Sequence, residues 1–211
     1  MKQLLVTFGF IALAGASQAA SAANLTGGDA EAGKAKTTAC VACHGADGNS
    51  ANPEWPKLAG QHAGYLYEQL KIFKLPASES PRYNALMFGQ AQALSDEDMK
   101  NIAAYYAEQA TKPGVADPEL AEVGEDIYRG GIPEENVAAC IACHGPSGKG
   151  NAAANFPKLA GQHATYTVNQ LKLYKSGERS SDMNQMMRNN VAGMSEEDMK
   201  AVAEYIQGLQ D

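Results

Sequence analysis

Apolar residues recur at helical spacing along most of the chain, and no run alternates apolar and polar positions convincingly enough to read as a strand. Residues 62–74 place Tyr65, Leu66, Gln69, Leu70 and Phe73 at helical spacing. Met99, Ile102, Ala103 and Tyr106 form a second stripe. Ser95 precedes that stripe with Asp98 three residues on, a capping box with Asp in place of Glu, so a helix opens there. Asp29 can cap a further helix running toward Cys40. The same reading gives helices over residues 119–129, 164–175 and 195–209. The expected fold class is all-α.

The pattern occurs twice because the sequence does. Ala39-Cys40-Val41-Ala42-Cys43-His44-Gly45 returns as Ala139-Cys140-Ile141-Ala142-Cys143-His144-Gly145, at an offset of 100. Pro56-Lys57-Leu58-Ala59-Gly60-Gln61-His62-Ala63 returns as Pro157-Lys158-Leu159-Ala160-Gly161-Gln162-His163-Ala164, at an offset of 101. Gln69-Leu70-Lys71 matches Gln170-Leu171-Lys172, and residues 95–100 match 195–200. Two tandem domains are expected, 24–110 and 119–211, joined by a linker over 111–118 whose Lys112-Pro113-Gly114 and Asp117-Pro118 break helices. Gly33 lies 7 residues before Cys40, and its counterpart Gly124 lies 16 before Cys140. The extra stretch, near residues 130–136, is expected to be a surface loop.

Each copy is about 90 residues and rich in Gly and Ala, a size at which a domain benefits from an added filler in its core. Residues 1–22 read as an export signal. Lys2 gives a positive start, residues 4–16 are apolar, and Ala20-Ser21-Ala22 fits a cleavage site. The apolar run of about 13 residues is short of the roughly 20 that span a bilayer, although an uncleaved anchor is the competing reading. The net charge of −7 becomes −8 without Lys2, and no Lys/Arg cluster stands out, which argues against a nucleic-acid partner.

The candidate chemistry sits in the four cysteines. Cys-x-x-Cys-His is the attachment pattern of c-type haem. Its spacing lets one short helical turn offer two thiols to the two vinyl groups of one haem, with the next residue under the iron. Cys40 and Cys43 would hold one haem with His44 as axial ligand, and Cys140 and Cys143 a second with His144. A zinc site would be one ligand short in each copy. A redox dithiol expects a βαβ context, and disulfides would not need the adjacent His.

For the sixth iron ligand the register narrows the choice. Leu94 and Met99, with Met194 and Met199 in the second copy, occupy the two positions of a hydrophobic staple around the helix caps and read as structural. Met87 lies 8 residues before Ser95 and Met187 lies 8 before Ser195, each in a stretch read as polar and irregular. These two are the candidates, with Met186 as rival to Met187. Bis-His ligation through the repeated His62 and His163 stays open beside a reading of them as surface or cap-region residues. Pro56 and Pro157 follow the attachment turns, and their carbonyls could accept the far imidazole proton of His44 and His144, orienting the ring. Trp55 and Phe156 are equivalent and read as core or haem-wall packing.

With these motifs together, the chain resembles the dihaem cytochrome c4 family. The resemblance rests on the paired Cys-x-x-Cys-His-Gly, the paired Pro-Lys-Leu-Ala-Gly-Gln, Met87 with Leu94-Ser95-Asp96, and Met186-Met187-Arg188 ahead of Ser195. It implies two class I cytochrome c domains related by a pseudo-twofold, two haem c groups close enough for rapid internal transfer, and His/Met ligation carried onto Met87 and Met187. It further implies a periplasmic carrier between a quinol-oxidising complex and a terminal oxidase, often of the cbb3 type, with possible association at the membrane surface. If each iron has both axial positions filled by protein side chains, no place is left for a small-molecule substrate, so an electron carrier is expected rather than an enzyme. A dihaem redox enzyme would need an open iron and two dissimilar haems. An electron-accepting subunit bound to a dehydrogenase is the nearer alternative.

Overall fold

The structure, a computed structural model, describes residues 26–210; the export-signal reading of residues 1–22 lies outside them. Ten α-helices are present among the described residues: α1 Ala30–Lys36, α2 Thr38–His44, α3 Ala63–Phe73, α4 Ala85–Ala91, α5 Asp96–Ala107, α6 Pro118–Gly130, α7 Ile141–His144, α8 Ala164–Ser176, α9 Met186–Val191 and α10 Glu196–Gly208. Extended pairing among the described residues is confined to two isolated antiparallel bridges, Ile132–Val137 and Asn151–Phe156. None of the described helices is long and apolar enough to cross a membrane.

Each half is built the same way. The first helix crosses the last, α1 on α5 and α6 on α10, and the third packs beside the last, α3 on α5 and α8 on α10. The crossing depends on one glycine per half. A Cβ at Gly33 would stand 2.0 Å from the carbonyl oxygen of Asn101, and one at Gly124 would stand 2.0 Å from that of Ala201. No side chain fits at that distance, so Gly33 and Gly124 are equivalent in space as well as in register.

The expected caps form. Asp29 accepts from Ala32 N–H, and Ser95 and Ser195 each close a capping box with Asp98 and Asp198. The stripe residues Met99, Ile102, Ala103 and Tyr106 are all buried, as are Met194 and Met199. The linker reading needs one change: Pro118 is the first residue of α6, where its missing N–H costs nothing, and Asp117 caps it.

One expectation is corrected. Met87 and Met187 do not lie in irregular chain: each sits in the first turns of a short helix, α4 or α9. Asn84 caps α4 by accepting from Met87 N–H, and Lys74 and Lys175 donate to the Leu94 and Met194 carbonyls just past the two helices. The Asn84 bond opens α4, and the two lysines fasten the chain where it leaves α4 and α9 from 20 and 19 residues away. The extra stretch in the second half lies at the surface as expected, with Gly130 and residues 133–136 exposed, and its ends are closed on each other. Ile132 and Val137 exchange both backbone hydrogen bonds, at 2.9 and 3.1 Å, around a 3₁₀ turn over Pro133–Glu135. Val137 is buried in the core, and Asn190 of α9 bonds both the N–H and the carbonyl of Ala138.

Candidate functional site

The attachment turn is a helix end in both halves. Cys40, Cys43 and His44 lie on α2, and Cys140, Cys143 and His144 span the start and body of α7. The chain leaves each turn through Gly45 or Gly145 at positive φ, which lets the loop fold back beneath the histidine. Cys43 and Cys143 are exposed, and Cys40 and Cys140 are partly buried. All four thiols are free, with no disulfide between them. Burial raises the Cys40 thiol above its ordinary range and pushes Cys140 up to about 11. Unpaired and held in the neutral thiol form by burial, Cys40 and Cys140 suit a thioether bond better than metal-thiolate chemistry.

The two imidazoles are buried and identically held. His44 Nδ1–H donates to the Pro56 carbonyl at 2.9 Å, and His144 Nδ1–H donates to the Pro157 carbonyl at 2.9 Å. Burial lowers both rings below the ordinary histidine range, against the smaller raising effect of those bonds. A neutral ring with its Nδ1 proton fixed leaves the Nε2 lone pair free for iron. Free thiols, a fixed histidine tautomer and a spacing that offers all three groups from one turn fit a covalent haem in each half. Phe156 lies tilted against His144, ring centroids 6.4 Å apart.

The methionines separate by environment. Met99, Met194 and Met199 are in the two cores. Met183 and Met186 are exposed, while Met187 is packed against the core of the second half and Met87 is partly buried.

The repeated histidines are engaged elsewhere. His163 Nε2 sits 2.9 Å from the Ser50 carbonyl and 3.0 Å from its hydroxyl, in the other half of the chain. His62 lies near the backbone of Lys149 in the other half, but its buried Nε2 makes no hydrogen bond, so the two histidines are not held alike. They are neither plain surface residues nor simple caps; they lie where the halves meet.

That meeting surface was largely hidden in the sequence. Gln61 donates to the Lys158 carbonyl at 2.8 Å and accepts from Lys158 N–H at 2.9 Å; Gln162 does the same with Lys57, at 2.9 and 2.9 Å. Each amide side chain thus pairs with the backbone N–H and carbonyl of one residue of the opposite half, across a pseudo-twofold. The repeat of Gly-Gln was the available signal. A second cluster, Arg82 and Arg179 with Tyr65, Tyr166, Gln69 and Gln170, gave none: the tyrosines and glutamines repeat at 101, but the arginines at 97.

Comparison with known proteins places this arrangement. The cytochrome c family model matches residues 30–109 and again 134–210. The chain is 48% identical over 184 residues to cytochrome c4 of Thiocapsa roseopersicina, covering 86% of this chain and 93% of that protein. The crystal structure of reduced recombinant cytochrome c4 from Pseudomonas stutzeri superposes with a TM-score of 0.84 at 46% identity, covering 87% of this chain and all of that one. A protein of Stutzerimonas stutzeri named thiosulfate dehydrogenase electron acceptor is 39% identical over 177 residues, covering 79% of this chain and 77% of that one.

Proposed function

Since the chain belongs to the cytochrome c4 family of dihaem electron-transfer cytochromes, we propose that it works as a one-electron carrier in the periplasm, taking electrons from a quinol-oxidising complex and passing them to a terminal oxidase, with the cbb3 type as the first candidate. Its cofactors are two covalent haem c groups, one at Cys40 and Cys43 and one at Cys140 and Cys143. When bound, each supplies an Fe(III)/Fe(II) couple. The working division is two domains, 24–110 and 119–211, with 111–118 between them.

One observation carries the reading: the two centres are built alike, down to the 2.9 Å bond from each axial histidine to a proline carbonyl. Pro56 and Pro157 orient the rings and keep Nε2 on the iron side. Met87 and Met187 complete the axial sets. Their support is by environment: the core methionines are committed to packing, Met186 is 38% exposed whereas Met187 packs inward, and His62 and His163 face the opposite half. A thioether ligand raises the potential, as suits a carrier between a quinol-oxidising complex and an oxidase. Two centres closed in the same way serve transfer and leave neither iron specialised for a substrate.

A second reading has its own support. The relative from Stutzerimonas stutzeri that is named for accepting electrons from thiosulfate dehydrogenase suggests a dehydrogenase as donor. The two readings part on kinetics: reduction of the purified protein by a quinol-oxidising complex, and its oxidation by a cbb3 oxidase, support the first, while reduction by thiosulfate dehydrogenase alone supports the second. Rapid peroxide reduction with no change of iron ligation would overturn the carrier reading. For the ligands, Met87→Ala and Met187→Ala should each remove half of the long-wavelength band of methionine-bound ferric haem and lower one of the two potentials. Met186→Ala should change neither.

A further inference from the structure

The buried tyrosines behind the two attachment turns spend their hydroxyls differently. Tyr106 of α5 is 1% exposed and Tyr128 of α6 is fully buried. The Tyr128 hydroxyl donates to the Gly145 carbonyl at 2.7 Å. The Tyr106 hydroxyl is buried with no hydrogen-bond partner among the described residues. A buried donor left unmatched is destabilising, so an acceptor is expected beside it in the working protein.

Two polar groups flank that hydroxyl, the Thr37 hydroxyl and the Cys40 sulfur, and neither makes an aligned hydrogen bond with it. Thr37 is already engaged. Its hydroxyl donates to the Lys34 carbonyl at 2.8 Å, and its carbonyl accepts from Cys40 N–H at 2.8 Å and from Val41 N–H at 3.0 Å. Those backbone bonds fix the first turn of α2, and Cys40 packs against the core cluster that holds Tyr106. Burial raises the Tyr106 phenol well above its ordinary range, so the proton stays on and the group is a donor.

The Cys40 sulfur changes character when haem is attached. The thiol adds across a vinyl group: the S–H bond and the vinyl π bond break, one C–S and one C–H bond form, and no electron or proton is left over. What remains is a thioether sulfur with lone pairs and no proton, an acceptor only. Domain 2 has no such pair. Ile206 stands in the register of Tyr106, and Tyr128, though near Cys140, has its proton on the Gly145 carbonyl.

We propose that Tyr106 is a positioning residue of the first haem, acting through Cys40: its hydroxyl donates to the thioether sulfur and raises the potential of that haem alone. The bond turns the positive end of the O–H dipole toward the edge of the macrocycle. In a buried site that dipole acts through a low dielectric and disfavours the extra positive charge of the ferric state. The hydroxyl is not needed for attachment, since Cys140 does without one. The proposal rests on the covalent haem at Cys40 and is independent of which proteins donate or accept the electron.

The test is an optically followed potentiometric titration of the haem-loaded chain, with haem counted separately by pyridine haemochrome, on Tyr106→Phe and Thr37→Val. Tyr106→Phe removes one oxygen and keeps the ring. It should retain two haems with ligation unchanged, lower one midpoint potential and leave the other. Thr37→Val removes the rival acceptor and should leave both potentials where they are. In redox-difference infrared spectra of protein carrying ring-deuterated tyrosine, a phenol band should shift on reduction and vanish in Tyr106→Phe. Chemical denaturation of the loaded chain should find Tyr106→Phe less stable than the parent, because a hydrogen bond has gone. Unchanged potentials, a fall in both, a fall in Thr37→Val as large as in Tyr106→Phe, or a gain of stability in Tyr106→Phe would each overturn the proposal. Fewer than two haems in the parent protein would instead sink the haem assignment on which it rests.

Discussion

The two domains agree where the haem demands it and differ where it does not. The histidine–proline bond, the glycine at the helix crossing and the capping box are duplicated almost atom for atom. The filling of the core behind the attachment turn is not. In domain 1 a buried tyrosine comes from the last helix, Tyr106, and stands against Thr37; in domain 2 the positions in the same register are Ile206 and Tyr128, so the tyrosine comes from the first helix instead. Tyr105 and Tyr205, which are equivalent, pack on the exchanged ring at 5.1 and 5.3 Å between centroids. A buried tyrosine is kept in each domain and its source is swapped. What a duplicated domain keeps is the position of reactive atoms; what it redistributes is hydrophobic bulk, since burial has no direction.

The equivalence of the crossings makes the harshest trial. Gly33→Ala and Gly124→Ala should each destabilise the protein by about 3 kcal/mol or more, because the clash is with backbone and cannot be relieved by a rotamer. Chemical denaturation, with hydrogen exchange assigning the loss to a domain, should find the two effects similar. A tolerated Gly124→Ala would break the equivalence.

The tyrosine exchange is tested by a double-mutant cycle. Tyr106→Ile alone should cost about 2 kcal/mol through the cavity it leaves. Adding Thr37→Tyr, which rebuilds the domain 2 arrangement inside domain 1, should recover a good part of that. Additive losses would show that the swap is not a shared solution.

The insertion belongs to domain 2 alone. Val137→Ala and Asn190→Ala should each cost about 1 kcal/mol, from lost packing and from two lost hydrogen bonds to Ala138. Exchange protection should fall around α9 and leave domain 1 untouched. Loss of protection in both domains would mean that the insertion supports the whole molecule.

The smallest expected difference is in acid. Lys36, bonding at 2.9 Å, and then Ser95 hold the Asp98 carboxyl down at about 2. A carboxyl depressed in the folded state stabilises it above the ordinary value of 3.8, and that contribution is lost as pH falls from there toward 2. Among the described residues no lysine pairs with Asp198. Domain 1 should therefore show an added acid sensitivity below about pH 4 that Lys36→Ala removes, measured as exchange at the start of α5.

Much of the molecule was written along the chain. The duplication, the helices, the caps, the attachment turns and the methionines that belong to the core all follow from spacing, because each depends on groups within a few residues of one another. The carbonyls of Pro56 and Pro157 were legible as candidates from their place after the turn. The helices α4 and α9 were not, since Asn84 and the two lysines that fasten them act through bonds that composition does not announce. The insertion was legible as a surface loop but its anchoring was not, because Asn190 grips Ala138 from 52 residues away. The domain interface lay furthest from view. Gln61 and Gln162 bond peptides about a hundred residues distant, and Arg82 and Arg179 fall out of the repeat register yet converge in space. Local hydrogen bonding and helical period are fixed by sequence spacing. Whether two distant cations face each other across a pseudo-twofold is fixed only when the two folded domains dock.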